Sequence, residues 1–531
     1  MTPPSGAAPN KQPRERKPAE AASAGENAPG TDASSGAAAV APPRPPARMS
    51  HAEVRKIFFG VMLTVFLAAL NQTVIATALP TIGRHFYDFE NLSWVVTAYL
   101  LTSTAVAPLY GKLSDIYGRR AVMLAATGIF MAGSAVCAAA PNMLILVLGR
   151  GLQGIGGGGI LPVAQSIIAD VVAPRERGRY QAYMGVVWVT SGVGGPVLGG
   201  ALAEHLHWSL IFWLNVPLGL LAAWLTQTYL KRIPRHERRH ALDILGALLM
   251  MASAIPLLLA LSWGGVRYAW LSPVIVTLIA ASFVLSFAFA WRLVRAPEPF
   301  LPLAVLNNPV MRMGTLAAAF AMATSIALTI FTPLYFEVVH KLSATDAGLA
   351  LIPLALTTPG SLLSGRAMLY GRHYKWVPMA GLACAIAALA VLVWKPAIPL
   401  VVVIVLLSVV GTAIGTCYPV TTVSIQNAVA THQVGVAMGA LNFFRSLASA
   451  FGVAVMGAII LAGFGAAPER GASVSVLAQT VGAQGFDAAG VFRWVFFAAL
   501  LFLGISLLAL YLMEERPLRS STSGDPQMPA Q

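Results

Sequence analysis

YLLTSTAVAPLYGKLSDIYGRRAVMLAATGIF, Tyr99 to Phe130, decides how this chain is read. Two uncharged apolar runs flank ten residues, GKLSDIYGRR, that hold one acid, three bases and two glycines. A helix that crosses a bilayer needs about 20 mostly apolar residues, and each run belongs to a stretch of that length. Charges avoid hydrocarbon, so Gly111 to Arg120 reads as a tight turn at a membrane surface. Its basic excess places it on the cytoplasmic face.

The rest of the chain repeats the pattern. Of 531 residues, 57% are hydrophobic and 11% charged, whereas soluble domains carry about 25% charged residues. Mean hydropathy is +0.72. Fourteen apolar segments follow one another, at roughly 57–80, 92–110, 121–140, 144–169, 181–203, 209–230, 243–262, 272–291, 313–337, 347–364, 376–394, 399–423, 436–462 and 491–513. The expected fold is therefore all-α and integral to the membrane, with 14 transmembrane helices: two six-helix halves and an inserted helix pair. Its parts would be a disordered tail 1–54, a first half 55–235, the inserted pair with linkers 236–297, a second half 298–513 and a tail 514–531. The N-terminal segment is too polar to bury a core, and no apolar run follows its bases to make a signal peptide.

The net charge of +14 would suggest nucleic acid in a soluble protein. Here it has another origin. From Lys112 to Arg519, nineteen Lys and Arg fall in one set of loops, including APRERGRY, KRIPRHERRH, RLVRAPEP and GRAMLYGRHYK. The opposite loops hold six: Arg84, Arg267, Lys341, Lys395, Arg470 and Arg493. That asymmetry orients a membrane protein with both termini in the cytoplasm and leaves no nucleic-acid surface. Cys137, Cys384 and Cys417 show neither metal-ligand nor disulfide spacing. Glu204, His205 and His207 read as a solvated outer loop rather than a metal site, and no nucleophile-base arrangement supports an enzyme. No cofactor or metal is expected.

Several motifs narrow the class. G-x-L-x-D-x-x-G-R-R, formed by Gly111, Leu113, Asp115, Gly118, Arg119 and Arg120, resembles the signature loop of the major facilitator superfamily. LGRGLQGIGGGG (Leu148–Gly159) contains a formal dinucleotide fingerprint, but it lies in an apolar span, where glycines serve close helix packing. Arg150 within it matches the superfamily's fourth-span arginine, which the resemblance associates with proton coupling. Gly195, Pro196, Gly199 and Gly200 resemble the antiporter motif of exporters, with Ser191 where a glycine is usual. ALPTI, WSLIFWLNVPLG (Trp208–Gly219), PLYFEVVHKLSATDAGLALIP (Pro333–Pro353) and FFRSLASAFGVAVMGA (Phe443–Ala458) extend the resemblance to the fourteen-span drug:proton antiporter branch. Ser209 replaces an arginine common in that branch.

The resemblance implies a proton-coupled multidrug-efflux antiporter in a bacterial inner membrane, monomeric, exporting amphipathic and cationic compounds. Partners would be a small-molecule substrate, protons and membrane lipids. Export of an endogenous metabolite or siderophore is the alternative, and a non-transporting receptor or scaffold is the reading from another class. Asp115 and Arg119 would latch the two halves, with Asp170 as a partner through Arg119 or Arg175. Asn71, Gln72, Arg150, Glu337 and Arg445 would lie on the substrate and proton pathway. Asn71 stands where relatives resembling this chain carry an ionisable aspartate. Arg150 is expected to meet it, and Glu337 to carry the coupling proton at the border of a cavity. Trp94, Tyr99, Trp188, Phe331 and Tyr335 are candidate aromatic contacts for cargo.

Overall fold

The computed structural model describes residues 51–232, 242–355, 357–371, 373–463 and 488–518. The tail before residue 51, most of KRIPRHERRH, the segment GAAPERGASVSV and the end from residue 519 lie outside the described residues. Regular structure among the described residues is helical, apart from one bridge between Gly264 and Tyr268. In chain order the helices are α1 (His51–Phe86), α2 (Trp94–Tyr117), α3 (Arg119–Ala138), α4 (Met143–Val171), α5 (Pro174–His205), α6 (Leu210–Trp213) and α7 (Asn215–Tyr229). There follow α8 (Ile244–Trp263), α9 (Pro273–Arg295), α10 (Leu303–Leu306), α11 (Pro309–Val339), α12 (Ala344–Ala355) and α13 (Thr358–Tyr370). α14 (Trp376–Trp394), α15 (Leu400–Ala428), α16 (Val434–Gly463) and a last helix, Ala488–Leu512, complete the order.

Thirteen helical stretches among the described residues are long and apolar enough to cross a membrane. The chain is a multi-pass, all-α integral membrane protein. α2 falls outside those thirteen. Its 24 residues span about 36 Å, but Thr97, Thr102, Ser103, Thr104, Lys112, Ser114 and Asp115 dilute its apolar content.

Local chemistry explains where helices start and stop. Gly118 joins α2 to α3 at φ +88°, a left-handed conformation that costs a residue with a Cβ. Asn142 caps α4 by accepting the Ile145 N–H at 2.9 Å. Asp243 caps α8 through Gly246, and Asn308 caps α11 through Val310. Pro174 opens α5 at a position where no N–H is needed.

α1 to α7 pack as one bundle, and α11 to the last helix as another. The glycines of α4 serve the first bundle by close approach. Gly154 and Gly158 lie against the backbone of α2, and Gly156 against α3 at Ala126 and Phe130. α8 and α9 pair with each other, and α8 also lies against α2 and α16. α9 is mostly exposed, with Phe283, Val284, Phe287 and Val294 facing outward. The bundles meet through α2 on α16, α5 on α13, α4 on α16 and α5 on α15.

Candidate functional site

The bundles close on each other at the end that carries GKLSDIYGRR. Gly111 of α2 and Gly435 at the start of α16 touch through bare backbone, where any Cβ would collide. That approach brings Asp115 over the first turn of α16. One carboxylate oxygen accepts the Gly435 N–H at 3.0 Å, and the other accepts the Val436 N–H at 2.8 Å. These amides belong to a helix N-terminus, where no intrahelical acceptor exists and the dipole favours an anion.

Arg119 neutralises the buried carboxylate from behind. It pairs with Asp115, donates to Ser114 Oγ at 3.0 Å and donates through Nε to Asp170 at 2.9 Å. All three charged side chains are nearly excluded from solvent, at 8%, 6% and 11% exposure for Arg119, Asp115 and Asp170. Asp170 thus connects through Arg119; Arg175, the other partner considered from the sequence, reaches Leu518 instead. Arg120 lies outside the cluster and donates to Gln227.

A second layer sits farther along α16. Asn442 donates to the Gln165 side chain of α4 at 2.7 Å, and Gln426 of α15 donates to the Gln165 carbonyl at 3.1 Å. Gly178 of α5 and Gly365 of α13 meet backbone to backbone. Beyond the last helix the chain turns back as a strap. Tyr374 donates to the Arg516 carbonyl, Asn427 to that of Pro517, and Arg175 of the first bundle to that of Leu518. Residues 514–518, expected to begin a free tail, are therefore tied to both bundles.

Within the first bundle the polar residues expected on a pathway form one buried network. Asn71 Oδ1 accepts from Gln153 Nε2 and from Asn215 Nδ2, each at 3.1 Å, while its own Nδ2 has no partner. Gln153 also donates to Ser134 at 2.6 Å. Arg150, expected from its depth to meet Asn71, does not do so directly. It donates to the Val95 carbonyl at 2.8 Å and to Gln153 Oε1 at 2.5 Å, so Gln153 stands between them. Its guanidinium lies 4.4 Å from the centre of the Tyr99 ring, a cation–π stack. Gln72 is half-buried beside the Tyr99 hydroxyl.

In the second bundle Arg445 is buried and donates to Thr421 and Thr422 at 3.2 and 3.0 Å. Glu337, two residues before the end of α11, is half-buried and forms no hydrogen bond or ion pair among the described residues. Gly195 and Gly199 bring α5 against Thr73, Val74 and Thr77 of α1, and Thr73 donates to the Ser191 carbonyl at 2.7 Å. Pro196 and Gly200 are half-buried, and Gly200 has open space where a Cβ would stand.

The aromatic candidates separate. Tyr99 stacks on Arg150, and Trp94 packs on Trp263 of α8 at 5.5 Å. Trp188 is exposed. Phe331 and Tyr335 are buried in the second bundle's core, where Tyr335 packs on Phe492 and Phe496 and is closed to cargo. His207 accepts or donates to Ser209 at 2.8 Å and stacks on Trp208. The residues that the sequence reading missed are the amides Gln153, Gln165, Asn215, Gln426 and Asn442. Isolated amides inside apolar runs were the available signal, since hydrocarbon penalises each one that lacks a partner.

Two helical bundles that meet at a charged, glycine-lined latch define a two-halved membrane transporter fold. The chain belongs to the Major Facilitator Superfamily, whose family model matches residues 61–453. An MFS-type transporter of Mycobacterium tuberculosis is 34% identical over 413 residues, covering 76% of this chain and 59% of that protein. The chain thus spans less than two thirds of that relative. The multidrug transporter protein MdtP of Bacillus subtilis is 30% identical over 410 residues, covering 76% of this chain and 74% of its own. The fold also matches the crystal structure of the human organic anion transporter MFSD10. The TM-score is 0.59 at 17% identity, over 87% of this chain and 99% of the other.

Proposed function

We propose that this protein is a proton-coupled secondary exporter of amphipathic compounds, of the fourteen-span drug:proton antiporter branch, in a bacterial cytoplasmic membrane. α2 then completes the fourteen spans as the second span of the half 55–235, with 236–297 as the inserted pair before the half 298–513 and both termini in the cytoplasm. Two halves rocking about a central site would open each mouth in turn.

One observation carries this reading: the Asp115 carboxylate bound to the Gly435 and Val436 amides across the two bundles. Such a bond exists only while that end is closed, so it differs in energy between two states. Only such differences bias a conformational equilibrium. A receptor or scaffold has no need of a latch that must break. Glu337 remains the proposed proton carrier, because Asp115 and Asp170 are both committed to Arg119.

The deciding experiment is flux in sealed, inverted vesicles that contain the full chain. A pH gradient, acid inside, should drive uptake of an amphipathic fluorescent probe, and collapsing the gradient should stop it. Uptake indifferent to the gradient would overturn proton coupling.

A further inference from the structure

The charged side chains within the helices are distributed unevenly. Among the described residues, every helical carboxylate lies in the first or last turn of its helix: Glu53, Asp115, Asp170, Glu176, Glu204, Glu337 and Asp346. Arg445 does not. It stands eleven residues after Val434, about 16 Å into α16, and Arg150 stands seven residues after Met143 in α4. Among the described residues, the middle layer therefore holds two guanidinium groups and no carboxylate.

These two arginines are not equivalent. Arg150 is enclosed, with a carbonyl, an amide oxygen and the Tyr99 ring around it. Arg445 is 92% buried by side chain and adjacent backbone, yet only the neutral hydroxyls of Thr421 and Thr422 receive its protons. Its Nε has no partner. The half-buried ring of Tyr418 lies 5.5 Å from it. Asn442, one turn before it on the same helix face, makes the outermost hydrogen bond from α16 to the first bundle. Past that bond, the hydrogen bonds of Arg445 and Ser449 stay within their own bundle. Arg445 thus sits at the floor of the side on which the bundles are not tied together.

A buried guanidinium without a counter-charge is costly, and a carboxylate or sulfonate from outside would relieve that cost. We propose that Arg445 is the anchor for an anionic group on the cargo, with Tyr418 as an apolar and aromatic platform beside it. The cargo is then an amphipathic organic anion rather than the cation that the sequence resemblance implies. This inference rests on the export reading for the site's purpose but not for its test.

Equilibrium binding needs no gradient. The full chain in nanodiscs should bind fluorescein, a carboxylate dye, and dansyl-glycine more tightly than ethidium, as read by fluorescence polarisation. Arg445→Gln should weaken both anions at least tenfold, while Arg445→Lys should weaken them less than threefold. Should Arg445→Gln fail to fold, Thr422→Glu places an internal carboxylate beside the guanidinium and should likewise abolish anion binding. Ethidium binding tighter than either anion, no anion binding at all, or anion binding indifferent to both variants would overturn the proposal. Loss of proton-driven flux with anion binding intact would count against the export reading alone.

Discussion

Asp115 accepts the backbone N–H of Gly435 at 3.0 Å, a bond between residues 320 positions apart. Neither partner is special in isolation. The bond exists because Gly111 and Gly435 let two helices approach without side chains between them, and because α16 begins there with free amides. A carboxylate held by two amides and a guanidinium forms a strong clasp.

Replacing that carboxylate by an amide is the sharpest test of the clasp. Asp115→Asn retains the shape but leaves one of the two α16 amides without an acceptor, at about 1–3 kcal/mol. Transport per molecule should fall at least tenfold in inverted vesicles, with unchanged protein in the membrane by immunoblot. Wild-type flux at equal abundance would show that the bond does not bear on transport.

The glycine contact makes a separate prediction about geometry. Gly435→Ala would drive a methyl group into Gly111 and Asp115, so that end cannot close fully. A cysteine pair at Gln165 and Asn442, whose side chains touch at 2.7 Å, reports closure. Oxidative cross-linking of that pair should drop at least fivefold when Gly435→Ala is added. Equal cross-linking would mean that the helices can rearrange around the methyl.

Glu337 gives a chemical test of coupling. Glu337→Gln keeps a hydrogen-bonding side chain but cannot bind and release a proton at this position. Gradient-driven uptake should disappear, while binding of a neutral probe changes less than twofold. Retained coupling would move the proton site to Asp170 or elsewhere.

Asn71 offers a gain of function. Its Oδ1 already accepts two amide protons, and its Nδ2 donates to nothing. In Asn71→Asp the new oxygen replaces an unsatisfied donor, and its charge faces Arg150 through Gln153. The variant should unfold within about 3 °C of wild type, because both acceptor bonds are kept and the new charge faces Arg150. A change of about 1 kcal/mol shifts Tm by about 2–4 °C in a domain of 150–250 residues. Ethidium should bind at least fivefold more tightly. A large loss of stability would show that the network tolerates only neutral members.

Much of this was legible in the sequence, for reasons specific to membranes. Apolar run length announces a span, and loop bases orient it, so helices such as α4, α9 and α15 stand where their composition requires. α2 is legible as a span at 92–110 and stands as a helix over Trp94–Tyr117, although its threonines and serines lower its hydropathy. The cluster of Asp115, Arg119 and Asp170 was reachable because rare charges in an apolar chain must find one another. Gln153 as the link between Asn71 and Arg150 was not, since depth along a helix says nothing of which side chain intervenes. The strap from Glu514 to Leu518 was hidden for another reason. Apart from the Glu515 carboxylate, which accepts the Lys375 N–H, it is held by carbonyl groups, which every sequence possesses.

The inserted pair gives the molecule a front and a back within the plane of the bilayer. The line where α2 meets α16 is walled by α8, which touches both bundles, whereas α8 does not make such a wall on the line where α5 meets α13. A solute dissolved in lipid then finds an unequal pair of doorways, with the freer one beside α5 and α13. If the halves rock as proposed, the wall straddles the moving parts and must slide on one of them at every cycle. Its outer helix, α9, is the most exposed of the candidate spans and would do that sliding against lipid. Membrane fluidity and thickness would thereby become a brake or a lubricant on transport, acting far from any cargo.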